Sequence, residues 1–177
     1  MKTLVIYESK YGSTQKYAED IASRVGGDIL PFKKVKWKKL DEYEIVVFGS
    51  YVRGGNITKI NEFLQHWNEL EGKAIIVFAT GMSIPDENTR KELIEQNVLS
   101  DVHLRFYQLR GTFDFSKLRF PDSMIFNNSI KIVAEQDPSK ANDLEYVKEN
   151  PIVAYDKDKI ERIVTVIEKI KLGEARK

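Results

Sequence analysis

The 177-residue chain contains no cysteine. Disulfides, thiolate metal ligands and cysteine nucleophiles are thereby excluded, a reducing compartment fits, and any redox work falls to a bound cofactor. Histidine is nearly absent: His66 and His103 are the only two. Neither has carboxylates at metal-ligand spacing, so both read as structural and no metal is expected. No apolar run approaches the ~20 residues of a membrane span. Met1 leads straight into strand pattern rather than a signal core, and the expectation is a soluble, cytoplasmic protein. Neither sign of charge prevails, with 28 Lys and Arg against 27 Asp and Glu, so net charge argues against wholesale nucleic-acid binding. The patterns G-x-G-x-x-G, G-x-x-x-x-G-K-[ST] and G-x-S-x-G do not occur, which sets aside the dinucleotide fingerprint, the P-loop and the nucleophile elbow.

What is present begins with the first 25 residues. Thr3 to Tyr7 reads as a buried parallel strand, Ser9 to Thr14 as a turn, and Tyr17, Ala18, Ile21, Ala22 and Val25 as one apolar helix stripe. A helix that starts directly after such a strand aims unpaired backbone N–H groups and the positive end of its dipole at the turn, where an anion is the natural occupant. Ser9, Ser13 and Thr14 add hydroxyls, and Gly12 lets the backbone pass close. With no dinucleotide glycines, the cradle suits a monophosphate.

Further strands are expected at Asp28 to Val35, Glu44 to Gly49, Lys73 to Thr80 and His103 to Leu109, with helices over Ile57 to Leu70, Asp86 to Leu99 and Asp156 to Lys171. Alternating strands and helices imply parallel pairing with right-handed crossovers. The fold class is therefore α/β: a doubly wound five-stranded parallel sheet in the order 2-1-3-4-5, as one domain over residues 1–177. In this order the loops after strands 1, 3 and 4 converge, here Ser9 to Thr14, Ser50 to Asn56 and Thr80 to Ser83. About 40 residues separate the fifth strand from the last helix, where 2–6 is usual, so residues 112–150 are an addition. Within it, Asp122 to Ala134 reads as a helix and Gln136 to Asn150 as polar and mobile. The aromatics Phe113, Phe115, Phe120 and Phe126 alternate with Lys117 and Arg119, which suggests a face toward a substrate or a membrane. Lys33, Lys34, Lys36, Lys38 and Lys39 surround Trp37. They could meet an anionic membrane or an acidic partner, or form a solvated connection with Trp37 tucked against the body.

The spacing S-x-x-G-S-T-x-x-x-A after Leu-Val-Ile-Tyr resembles the signature of the flavodoxin family, which implies a flavodoxin-like fold and a loop that holds the phosphate of FMN. The stretch Gly49-Ser50-Tyr51-Val52-Arg53-Gly54-Gly55-Asn56, followed by Phe63 and Leu64, is similar to its counterpart in menaquinone-dependent protoporphyrinogen dehydrogenases, where the loop runs Gly-small-x-Ile-Arg-x-Gly. Lys10 lies where that branch tends to carry a base. The resemblance implies a flavoprotein oxidoreductase that takes hydrogen equivalents from a porphyrinogen-like or other small organic substrate and passes them to a quinone.

An FMN site also needs backbone groups at the ring edge and flat contacts for the ring. The expected phosphate set is Ser9, Lys10, Tyr11, Gly12, Ser13 and Thr14. Ser50, Tyr51, Val52, Arg53, Gly54 and Gly55 would border the ring, and Thr80, Gly81 and Met82 would close its other side. Arg53 is the expected catalytic residue, a lone base between a strand end and two glycines. An electron carrier between protein partners is the alternative. Such carriers are typically acidic around the flavin, whereas this chain is near neutral with Lys10 and Arg53 at the site. A phosphoacceptor receiver shares the strand order but needs an acidic cluster at strand ends, where this chain has a single Glu8.

Overall fold

The computed structural model describes residues 1–175. The chain forms two compact units, one of residues 1–110 with the stretch from Asp156 onward, the other Gly111–Tyr155.

In the first unit the strands are β1 (Thr3–Tyr7), β2 (Asp28–Pro31), β3 (Ile45–Arg53), β4 (Asn56–Ile57), β5 (Ala74–Gly81) and β6 (Arg105–Arg110). The helices are α1 (Ser13–Val25), α2 (Ile60–Leu64), α3 (Trp67–Leu70), α4 (Glu87–Gln96) and α7 (Lys157–Lys171), with α5 and α6 in the second unit. The parallel strands run in the order β2-β1-β3-β5-β6, the expected five-strand order, and β4 is a two-residue antiparallel partner of β3. All neighbours on the main path pair in parallel.

Because successive strand side chains point to opposite faces, the unbroken apolar runs of β1, β3 and β5 feed two cores. Val5, Ile45, Val47, Ile76 and Phe78 pack with Tyr17, Ile21, Ile163 and Ile167 of α1 and α7. On the other face, Leu4, Ile6, Val46, Phe48 and Val77 pack with Ile60, Phe63, Leu70 and Leu93 of α2 to α4. Phe48 and Phe63 stack with ring centroids 4.5 Å apart and an interplanar angle of 8°. Gly49 is required by close approach, since a Cβ there would lie 2.0 Å from the Phe78 ring.

Several boundaries differ from the expectation. The second strand stops at Pro31 and gives way to 3₁₀ turns at Phe32–Lys34 and Trp37–Glu42. Proline lacks the N–H a ladder needs, and the aromatics that follow turn inward. Trp37 stacks on His66 at 3.9 Å and 7° and meets Phe32 and Phe63 edge-on, while all five lysines of the cluster are exposed. Trp37 is thus tucked against the body. The helix expected over Ile57 to Leu70 is two short helices, entered through Lys59 in the left-handed region at φ 64°. Helix α4 ends at Gln96 rather than Leu99. Its start is a capping box, in which Asp86 accepts from the Thr89 N–H at 2.8 Å. Bonds from Thr89 also hold the Asp86 carboxyl below the usual carboxylate range.

In the second unit, α5 spans Asp122–Gln136 and α6 spans Pro138–Glu149. The stretch Gln136 to Asn150, expected to be irregular, is therefore helical: Asp137 caps the Ser139 and Lys140 amides and Pro138 sits at the first helical position. Phe126 is buried and gathers Phe113 and Phe115 at 5.0 and 5.5 Å. Phe113 and Ile152 pair antiparallel and bring the two ends of the unit together. Among the described residues, no helix is long and apolar enough to cross a membrane.

Candidate functional site

The carboxyl ends of β1, β3 and β5 lie side by side, the place where this topology leaves a crevice. The first rim is the turn into α1. Gly12 is the N-cap at φ 93°, a left-handed conformation glycine adopts without strain, and its N–H donates to Ser9 Oγ at 3.2 Å. No side chain caps α1 and its first turn carries no acidic residue. A Cβ at Gly12 would meet nothing within 4 Å. Backbone donors, a positive dipole end and open space together fit a phosphate. Beside them Lys10 Nζ lies 5.7 Å from the centre of the exposed Tyr11 ring.

The second rim was expected as a loop over Ser50 to Asn56 and is instead a hairpin. Strand β3 runs on through Tyr51, Val52 and Arg53, turns at Gly54 and Gly55 (φ 56° and 79°) and returns as β4. Positive φ at both central residues is what a tight two-residue turn demands, and two glycines meet it. The β-branched and aromatic residues before them extend the strand past the sheet. Arg53 lies exposed at the strand end, and Tyr51 and Val52 are half-buried.

The third rim follows β5. Thr80 is buried, Gly81 ends the strand, and the Met82 carbonyl accepts from Arg110 Nε at 3.2 Å.

A chain of hydroxyls joins the three rims. Thr14 Oγ1 and Thr80 Oγ1 lie 2.7 Å apart, Thr80 Oγ1 reaches the Ser50 carbonyl at 3.4 Å, and Ser50 Oγ donates to the Thr58 carbonyl at 2.5 Å. Thr14 is 1% exposed. Its first role is thus to hold α1 against β5, not only to offer a hydroxyl to the turn. Each threonine has one proton to donate. If Thr14 donates to an anion, Thr80 can donate to Thr14 and gives up only its long bond to Ser50.

The rims carry the cations Lys10, Arg53 and Arg110. Lys59 stands close by, its ammonium 2.6 Å from Glu62 and its pKa raised first by that hydrogen bond, then by Glu62, Glu8 and Tyr51 electrostatically. Beyond Glu8, a cleft of ≈ 360 Å³ is lined by Phe32, Lys33, Trp37, Lys59 and His66.

The structure thus brings Ser9 to Thr14, Ser50 to Gly55 and Thr80 to Met82 to one sheet edge. Sequence reasoning missed Thr58, Asn97, Arg110 and the Tyr17 hydroxyl as parts of its frame. The Tyr17 hydroxyl donates to the Arg110 carbonyl at 2.7 Å and accepts from the Asp156 N–H at 2.6 Å. Burial, chiefly, pushes its pKa up to about 12. In the sequence Tyr17 is one more apolar stripe position, and no local signal marks its hydroxyl.

A doubly wound α/β unit with an uncapped helix N-terminus at the crevice between its first and third strands defines an anion-binding domain of the nucleotide-cofactor kind. The chain belongs to the flavodoxin domain family, whose sequence model matches residues 4–140. It is 28% identical over 121 residues to an uncharacterized protein of Methanocaldococcus jannaschii, covering 64% of this chain and 81% of that one. Among solved structures it is similar to a flavodoxin from the domain Archaea at 20% identity and a TM-score of 0.44, covering 62% of this chain and 83% of that one. It is also similar to a flavoprotein in complex with FMN from Lactobacillus acidophilus at 15% identity and a TM-score of 0.42, covering 62% of this chain and 91% of that one.

Proposed function

We propose that this chain is an FMN-binding redox protein and, more finely, an oxidoreductase of the protoporphyrinogen dehydrogenase type that passes electrons to a quinone. The observation that carries the FMN reading is the uncapped, acid-free start of α1, hydrogen-bonded through Thr14 and Thr80 to the strand ends that would border the ring. Membership of the flavodoxin family supports it. The finer reading rests on the likeness of Gly49 to Asn56 to that branch.

In this reading the backbone N–H groups of Ser13 and Thr14, with Ser9 and Lys10, hold the phosphate. Tyr51 and Val52 offer flat apolar contact, and Gly81 and Met82 close the opposite side. When bound, FMN would supply electron or hydride transfer. Arg53, exposed at the end of β3, would favour negative charge at the edge of a bound ring. A quinone and a small organic substrate are the expected reactants, and a redox protein partner the expectation for a carrier.

The test is titration of the purified protein with FMN, riboflavin and FAD, then anaerobic turnover with protoporphyrinogen and a menaquinone analogue. FMN should bind at least ~10-fold tighter than riboflavin, since hydrogen bonds to a charged group contribute about 1.5–3 kcal/mol each. Equal affinity for riboflavin overturns the cradle. FMN uptake without turnover overturns the protoporphyrinogen reading and leaves the FMN-binding one standing.

A further inference from the structure

Outside the three rims, the most heavily engaged buried polar side chain of this unit is Asn97, just past the last residue of α4. It is 4% exposed and makes three side-chain hydrogen bonds. Its Oδ1 accepts from the Ile57 N–H at 2.8 Å, and its Nδ2 donates to the Gly55 carbonyl at 3.0 Å and to the Leu93 carbonyl at 2.8 Å. One amide thus links α4 to the turn and the return strand of the β3–β4 hairpin. The adjoining Gln96 donates from Nε2 to the Gly54 carbonyl at 3.4 Å, and its side-chain atoms fill the space a Cβ on Gly55 would need, 2.2 Å away at the closest.

A hairpin with a two-residue return strand has almost no ladder of its own: β4 pairs only Val52 with Ile57 and Arg53 with Asn56. So short a ribbon is marginal in water without outside support. The support comes at a cost in the backbone. Val98, directly after Asn97, is β-branched, exposed and left-handed at φ 54°, a conformation of order 1–3 kcal/mol above the ordinary regions. Such an outlier persists only where the surroundings over-determine it. Here the chain leaves α4 with Asn97 under the hairpin and then buries Leu99.

We infer that Asn97 is a positioning residue of the cofactor site: it locks the return strand of the β3–β4 hairpin and so fixes its partners Val52 and Arg53 along the crevice. This rests on the proposed FMN reading for its consequence, but not for the lock itself. Asn97 reaches no rim side chain directly and acts through the backbone of Gly55 and Ile57. With the lock in place, the rim is pre-formed before a ligand arrives, and binding spends little on ordering it.

Two measurements on Asn97→Ala, Gln96→Ala and the control Leu93→Ala decide it. Leu93 is a buried core residue of α4, so its truncation weakens the helix packing without removing a hairpin bond. In the cofactor-free protein, amide hydrogen exchange at Ile57 should quicken at least ~10-fold in Asn97→Ala, while amides of β1 and β5 stay slow; in Leu93→Ala any change should be general. In FMN titrations Asn97→Ala should lose ~10-fold or more in affinity and shift the FMN midpoint potential, whereas Leu93→Ala should stay within ~3-fold. Gln96 is exposed, so Gln96→Ala will fold even if Asn97→Ala does not, and should quicken exchange at the hairpin by a smaller factor. Unchanged Ile57 exchange in Asn97→Ala, or in its absence unchanged hairpin exchange in Gln96→Ala, overturns the lock. Quickened exchange with unchanged affinity and potential overturns the positioning role. If the wild-type protein takes up no FMN, the proposed function and the positioning role fall together, and the exchange data still decide the lock.

Discussion

The rim after β1 and the rim after β3 face the same crevice but are built by opposite means. The first is local: Gly12, Ser9 and the opening turn of α1 lie within a few residues, and the donors they present are the backbone groups of a helix start. The second is held from afar, by Thr58 within the return and by Gln96 and Asn97 about forty positions on. A local rim can be recognised from its sequence and survives distant changes. A borrowed rim depends on a partner that its own sequence does not name.

The first rim meets the third at the Thr14–Thr80 contact and, through Thr80, reaches the Ser50 carbonyl of the second, so cutting that contact should have the largest effect. Thr14→Ala is expected to cost about 1–3 kcal/mol of stability, from a buried hydroxyl left without its partner. FMN affinity should fall roughly ten- to a hundredfold as the rims part. Denaturant melting paired with FMN titration checks both. Unchanged values in both would mean the rims are independent.

Tyr17→Phe tests whether the local rim has a tie of its own. It keeps the ring packed against Phe78 and removes the hydroxyl that joins α1 to Arg110 and Asp156. The expected loss is about 1–2 kcal/mol for a paired buried hydroxyl. The variant should also change the alkaline limb. The folded pKa of Tyr17 is about 12 against an ordinary 10.0, so its contribution is complete below pH 10 and lost as pH rises from there toward 12. Part of that decline should vanish in Tyr17→Phe, the tyrosine share that remains resting with Tyr43, also pushed up to about 12 by burial and its bond to Asp28, and with Tyr107, raised by burial. An identical alkaline decline would show that Tyr17 titrates as it does in the unfolded chain.

Arg53→Ala probes the borrowed rim with little expected effect on folding, because Arg53 is exposed. A cation ~6 Å from the ring attracts added negative charge by about 2.8 kcal/mol at an effective dielectric of ~20, which exposure reduces to roughly 1–2. The FMN potential for adding an electron should become more negative by about 40–80 mV. Spectroelectrochemistry gives the answer, and no shift, or a positive one, would place Arg53 away from the ring.

The smallest effect belongs to Ser9→Ala. Its Oγ accepts one bond at an exposed turn, from the Gly12 N–H at 3.2 Å. About 0.5 kcal/mol of stability and a few-fold in FMN affinity are expected. A loss as large as that of Thr14→Ala would mean that the cradle depends on its side chains more than on the helix start.

This contrast also explains how much was legible beforehand. The strand-turn-helix opening with its turn at Ser9 to Gly12, the five parallel strands and their order could all be read, because each rests on a repeating apolar pattern or a short run of turn residues. The rim after β3 was legible only as a set of residues: Ser50 to Gly55 stand out in the sequence, but the hairpin they form does not, since a two-residue return strand leaves no period to detect. The helix Pro138–Glu149 was missed for a related reason. It is polar along most of its length and is marked chiefly by Asp137 and Pro138 at its start.

By itself, then, the sequence determined the chemistry this chain lacks and the local elements it forms. Without cysteine it has no disulfide or thiol, and its apolar runs and glycines shape strands, helices and the first turn through contacts between near neighbours. Only the tertiary structure decided which hydroxyls and amides hold those elements in register. Thr14 finds Thr80 66 residues away and Ile57 finds Asn97 40 away. Polar contacts of that span form only where the packed cores have already brought the strands and helices together, because loop closure must be compensated by burial before a single hydrogen bond can favour it.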